Sequence, residues 1–183
     1  PPLENVVGVT PATMQSAWHN LPTINGLMQA PGRQYAARDA QCHDDGRTTR
    51  FQLDIAAAYP TEAGVRRWLR QLSFDRQANA LAVRDEFDFT SPPRQIMQSL
   101  ICAHPVRQTG PGTLELRGPQ GPRGPLVIRF PADALVAQIE EKQLEDARLE
   151  RVWGPKLYRV VLTARQPSRL REWTIEFNQA NRA

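Results

Sequence analysis

Asn79-Ala-Leu-Ala-Val-Arg-Asp-Glu-Phe-Asp-Phe89 has the period of a strand: Leu81, Val83, Asp85, Phe87 and Phe89 fall on one face. Side chains of an extended chain alternate between faces, so this stretch reads as a strand with one side buried. Thr49-Arg-Phe-Gln-Leu-Asp-Ile55 repeats the pattern with Phe51, Leu53 and Ile55. Gln77-Ala78-Asn79 turns the chain between Leu72/Phe74 and the first stretch, which makes the two a hairpin. Ile96 to Cys102, Tyr158 to Thr163 and Glu172 to Phe177 are further strands. Thr113-Leu-Glu-Leu-Arg117 and Leu126-Val-Ile-Arg-Phe130 flank Gly118-Pro-Gln-Gly-Pro-Arg-Gly-Pro125. That Pro/Gly stretch is too short for a collagen-like segment and reads as a hairpin loop.

Turn signals at spacings of roughly 8–12 residues indicate an all-β fold, an antiparallel multi-stranded β-sandwich, rather than βαβ units. Helical signals are few. Ala56 to Ala58 makes one turn before Tyr59-Pro60. The 183 residues suit one domain over residues 1–183, with no internal repeat and no linker that would split it.

Composition narrows the class of partner. The formal charge is +4, and only Lys142 and Lys156 are lysines. The remaining basic residues are arginines, which bind planar carboxylates and sulfates through paired hydrogen bonds. That suits an anionic polysaccharide, although scattered arginines also describe an ordinary solvated surface. A nucleic-acid partner would want a basic run with aromatics between. The one basic cluster, Arg66-Arg67-Trp68-Leu69-Arg70, alternates like a strand with Trp68 opposite Arg67. No nucleic-acid partner is expected. There is no apolar run of about 18 residues, so no membrane span is expected. Pro1-Pro2-Leu3-Glu4 lacks the basic start and apolar stretch of a signal peptide. Cys42 and Cys102 are two cysteines in a long chain, not a disulfide scaffold, and their pairing stays open. Cys42-His43-Asp44 has no second Cys or His at zinc-finger spacing.

The chemistry concentrates in Trp18-His19-Asn20-Leu21-Pro22-Thr23-Ile24-Asn25-Gly26, followed by Gln29 and Gly32. Here an imidazole and two amides lie near an indole. Asn25-Gly26 reads as a hairpin turn, since both residues tolerate positive φ. An "HN" pair, a short apolar strand, an "NG" turn and a Gln, in that order, resemble the opening of the C-terminal β-sandwich domain of heparinase II/III-type polysaccharide lyases. The resemblance continues through Phe51 to Pro60, Val65 to Arg70 and Trp153 to Arg159, so it covers most of the chain. It implies a supersandwich-like fold. It also implies that the chain is the C-terminal part of a larger protein whose helical toroid domain is missing. It makes Asp133 to Leu149 two strands, with which the β-branched Val136 and Ile139 agree.

Lyases of this kind cleave uronate polymers by β-elimination. The C5 carboxylate must be neutralised, the C5 proton removed and the leaving O4 protonated. A His moves protons near neutral pH, and an amide or Arg holds the carboxylate. The resemblance therefore implies a catalytic role for His19 and Asn20 and a substrate-binding role for Trp18 and Gln29. It also implies that the toroid supplies the Tyr and Asn partners, so that this chain alone is inactive. The competing reading is a structural or anionic-glycan-binding module. There His19 bonds the backbone beside Trp18, and Asn20 holds a strand end. Some lyases of this type hold a metal through His and Asp. His19, Asp39 and His43 are the available set, but their spacing does not demand a metal and no cofactor is expected. His104-Pro105 reads as a loop. Tyr59-Pro60 and Trp153-Gly154 read as packing corners, and Trp68 and Trp173 as core.

Overall fold

The computed structural model describes residues 15–118 and 124–179. Twelve strands are defined among them. They are β1 (Pro22–Ile24), β2 (Arg38–Asp44), β3 (Thr48–Asp54), β4 (Val65–Asp75), β5 (Ala80–Phe89), β6 (Ile96–Cys102), β7 (Val106–Gly110), β8 (Thr113–Leu116), β9 (Leu126–Arg129), β10 (Leu135–Gln143), β11 (Lys156–Ala164) and β12 (Leu170–Gln179). They form two antiparallel sheets, one of four strands in the order β1-β6-β11-β10 and one of eight in the order β2-β3-β4-β5-β12-β9-β8-β7. The expected antiparallel β-sandwich is the observed architecture.

The alternating stretch ending at Phe89 is β5, at the middle of the larger sheet. Its inward face supplies Phe87 and Phe89, at 1% and 0% exposure. Trp68 of β4 stacks on Phe87 at 4.7 Å, and Trp173 of β12 meets Phe87 edge-on at 4.8 Å. The smaller sheet closes the core with Ile24, Ile96, Leu100, Val160 and Leu162. Burying each large apolar side chain contributes about 1.5–3 kcal/mol, so this aromatic and aliphatic layer is the main attraction between the sheets. The β4–β5 hairpin turns as expected: Asn79 takes φ 49°, and Asp75 Oδ1 accepts from the Ala78 N–H at 2.9 Å.

Two expectations need correction. The region Asp133 to Leu149 is not two strands. It holds one strand, β10, and the start of a helix, α1 (Ala147–Trp153). Asp146 caps that helix, its Oδ1 accepting from the Arg148 N–H at 2.8 Å, and Gly154 ends it with φ 86°. Trp153 is not a packing corner. It is 50% exposed, because α1 buries none of its residues. Tyr59, the other expected corner, is 5% exposed. β8 and β9 pair as expected, but the interior of the Pro/Gly hairpin loop, 119–123, lies outside the described residues.

Candidate functional site

The segment holding Trp18, His19 and Asn20 lies against the four-stranded sheet. A 3-10 turn, Ser16–Trp18, buries Ser16 and Ala17. Ser16 Oγ accepts from the Gln29 backbone N–H at 2.9 Å. Beyond the turn the chain enters β1, which pairs with β6 through Pro22↔Gln98 to Ile24↔Ile96. The pairing continues backwards: the Ser99 N–H donates to Leu21 O at 3.1 Å, and the Ile101 N–H donates to Asn20 Oδ1 at 2.8 Å. The Asn20 side chain thus stands in for a backbone carbonyl on the next rung.

β1 is an edge strand, and its outward carbonyls need partners. Arg70 Nη1 donates to Asn20 O at 2.7 Å, and the Tyr59 hydroxyl donates to Pro22 O at 2.6 Å. Pro22 suits this edge because it has no N–H to leave unpaired. At the end of β1, Asn25 and Gly26 take φ 52° and 80°, the expected turn, and Asn25 Oδ1 accepts from the N–H groups of Arg94 and Gln95.

Arg70 belongs to a polar group inside the sandwich. Its Nε and Nη2 donate to Asp85 Oδ1 and Oδ2, each at 2.7 Å, and Nη2 also meets Gln98 Oε1 at 2.5 Å. The Trp68 indole N–H donates to Asp85 Oδ1 at 2.9 Å. Burial alone would lower the Arg70 pKa, but the charge and hydrogen bonds of Asp85 outweigh it and hold it above its ordinary value. The group ties β4 and β5 of one sheet to β6 and the Asn20 backbone beside the other. Burial also pushes the Tyr59 phenol well above its ordinary range. Bonded to Pro22, Tyr59 is a strut rather than a proton carrier.

Trp18 is half-buried. The Arg159 guanidinium lies over its ring at 4.7 Å, within cation–π range, and is itself held by Glu140 at 2.8 Å. Arg159 and Glu140 sit opposite each other on β11 and β10. His19 and Asn20 are exposed beside Trp18. The His19 N–H donates to Ser16 O at 3.1 Å, and its carbonyl accepts from the Leu21 N–H at 2.8 Å. The Gln29 backbone N–H is held by Ser16 Oγ, and its side chain lies beside the Tyr59 hydroxyl. The structure thus brings Trp18, His19 and Asn20 to one surface together with Arg159 and Glu140, and sets Gln29 beside the strut beneath. Arg159 and Glu140 carry no sequence motif. Their signal is only that charges stand within partly apolar strands.

The other polar residues lie elsewhere. Asp39 and His43 are exposed on β2, the edge strand of the larger sheet, and Asp39 has φ 53°. His104 is half-buried against Gly118 at the β6–β7 corner. Among the described residues no group of three or more His, Cys, Asp or Glu side chains is placed to hold a metal ion. Cys42 and Cys102 are both free thiols, one exposed and one buried. Among the described residues no helix is long and apolar enough to cross a membrane.

No family model and no curated protein matches the sequence. Solved structures do match the fold. Heparan sulfate lyase HepC from Pedobacter heparinus superposes with a TM-score of 0.69 at 11% identity, over 92% of this chain and 25% of that one. A mutant of the same lyase gives 0.68 at 12% identity, over 97% of this chain and 28% of that one. A heparinase III gene product gives 0.62 at 10%, over 92% of this chain and 25% of that one. The chain spans about a quarter of the length of the structures it matches. Its two sheets are therefore similar in fold to one segment of the heparan sulfate lyases.

Proposed function

We propose that this chain is the β-sandwich part of a polysaccharide lyase that cleaves a uronic-acid-containing glycan by β-elimination. The observation that carries the reading is the fold likeness to heparan sulfate lyases across 92% of the chain. The surface of half-buried Trp18 and exposed His19 and Asn20 supports it, because it offers a proton carrier, an amide and an aromatic face within three residues. In this reading His19 moves a proton at C5 or O4. Asn20, its Oδ1 engaged by Ile101, offers its Nδ2–H groups to the uronate carboxylate. Trp18 carries the pyranose ring on the face not covered by Arg159. Gln29 acts from behind, through Tyr59. A helical domain of the same protein completes the cleft with its own Tyr and Asn, and the isolated sandwich is inactive.

A second reading is a non-catalytic module that docks an anionic glycan or supports its neighbour. The engagement of Asn20 and Gln29 within the fold favours it. The two separate in one assay. Eliminative cleavage leaves a C4–C5 double bond that absorbs in the ultraviolet. Full-length protein given a uronate polymer should generate that absorbance, and the isolated chain should not. A full-length protein that binds the polymer without generating it would support the module reading.

A further inference from the structure

The inward face of the larger sheet is longer than the layer that covers it. The β4–β5 register carries that face from the buried pairs Trp68↔Phe87 and Arg70↔Asp85 to Leu72↔Val83 and Phe74↔Leu81. Phe51 of β3 lies opposite Leu72 on the same face. Phe51 and Phe74 are each 37% exposed, and Leu72, Leu81 and Val83 are half-buried. None of these five belongs to the buried core. The smaller sheet ends at β1, so β2 and β3 lie beyond its edge. An apolar sheet face needs a second layer to bury it, and a contiguous apolar patch left bare marks an interaction surface.

The surroundings of the patch indicate its occupant. It starts one rung from Arg70, which donates to the Asn20 carbonyl. Whatever lies on the patch therefore also walls the Trp18-His19-Asn20 surface. The charges at its two ends already hold each other, Arg70 with Asp85 and Asp44 with Arg76. An anionic glycan would meet only apolar side chains between paired charges, whereas a protein surface can bury them. Gln15, the first described residue, precedes Asn20 by five residues. In the lyase reading a helical domain comes before the sandwich, and it is then tethered at this corner. A tethered partner meets the patch at high effective concentration, which favours it over a second copy of the chain. The lyases that share the fold have room for such a partner, since the matched segment is 25–28% of their length.

We propose that the helical domain of the full-length protein docks on this bare face, with an apolar side of its helices across Phe51, Leu72, Phe74, Leu81 and Val83. The existence of that domain rests on the lyase reading above; its seat on the sandwich rests on these side chains. Docked there, it supplies one wall of a cleft whose other wall is His19 and Asn20. The cleft then forms only when the two parts are joined.

The test is hydroxyl-radical footprinting of the full-length protein, read residue by residue by mass spectrometry. Phe51 and Phe74 should be oxidised no more than the buried Phe87 and Phe89, while the half-exposed Trp153 is oxidised freely. The double variant Phe51→Ser, Phe74→Ser changes no core residue, so the sandwich should still fold. It should loosen the seat and raise oxidation of Leu72 and Leu81 above that in the parent. Phe51 and Phe74 oxidised well above Phe87, or Leu72 and Leu81 unchanged in the variant, would overturn the proposal. Protection that disappears on dilution would assign the face to a second copy and overturn it as well. Ultraviolet absorbance of the unsaturated product separates this from the lyase reading. Protected rings in a protein that makes no product would support the docking and sink the lyase reading; oxidised rings in a protein that makes it would do the reverse.

Discussion

Arg70 and Asp85 stand directly opposite each other on β4 and β5 and share a two-pronged ion pair inside the sandwich, with both contacts at 2.7 Å. Their side chains are 8% and 0% exposed. The pair is linked by Arg70 to the Asn20 carbonyl, the residue after His19. The core therefore holds the candidate surface from behind.

Breaking this pair from one side should be costly. Asp85→Ala strands a buried guanidinium and leaves the Trp68 indole N–H without an acceptor, so a loss of about 3–5 kcal/mol is expected. Arg70→Met with Asp85→Leu removes both charges and should cost much less than the sum of the single changes. Urea unfolding midpoints of the singles and the double measure the difference. A double variant as unstable as the sum would mean that the charges do not act as a pair.

Asn20→Ala removes the acceptor for the Ile101 N–H and should cost about 1–2 kcal/mol. Asn20→Asp keeps an acceptor and should recover most of that stability. Thermal or urea unfolding of the two variants checks the ranking. Equal losses would show that the bond to Ile101 contributes little.

The two thiols should differ sharply. Burial pushes Cys102 up to about 11, so it is both shielded and protonated at neutral pH. Cys42 is exposed on β2. A thiol-reactive dye should label one cysteine quickly in the native protein and the second only with denaturant. Fast labelling of both would contradict the packing around β6.

Acid should weaken the fold in a salt-sensitive way. Hydrogen bonds from Arg76 hold the Asp44 carboxyl below its usual range, the Thr48 N–H does so for Asp45, and the Ala78 N–H for Asp75. Arg66 does the same for Asp88, and Arg117 for Glu115. A depressed folded pKa favours the fold above the unfolded value of about 4 and loses that contribution as pH falls through the folded value. Stability should therefore be flat near neutrality and decline from about pH 5 downward. Asp44 and Asp45 are exposed and Asp75, Asp88 and Glu115 partly so, so added salt should reduce the slope. A decline beginning near neutrality would contradict this assignment to the carboxylates.

Much of the fold was legible because the larger sheet buries one face of its central strands. β5 and β12 alternate for that reason, and Asn25-Gly26 marks the end of β1 through its turn geometry. β2 carried no pattern, because all seven of its residues are exposed and neither face needed to be apolar. α1 was missed for a related reason. It buries nothing, so no apolar stripe marks it, and its real signals were the Asp146 cap and the closing Gly154. The Arg70–Asp85 pair was visible in outline, since Asp85 interrupts an apolar face and Arg70 follows Trp68 by two. Their meeting needed the register of β4 against β5. Arg159 over Trp18 depends on a contact between residues far apart in the chain, which local pattern does not encode.

His19 is proposed as the proton carrier of a lyase cleft. The most direct measurement is the turnover of full-length enzyme carrying His19→Ala, followed by the ultraviolet absorbance of the unsaturated product, with unfolding measured on the same preparation. The account predicts a fall of roughly 10²–10⁴-fold, with stability changed little because the residue is exposed. Turnover close to that of the parent, or a loss that merely follows unfolding, would contradict it.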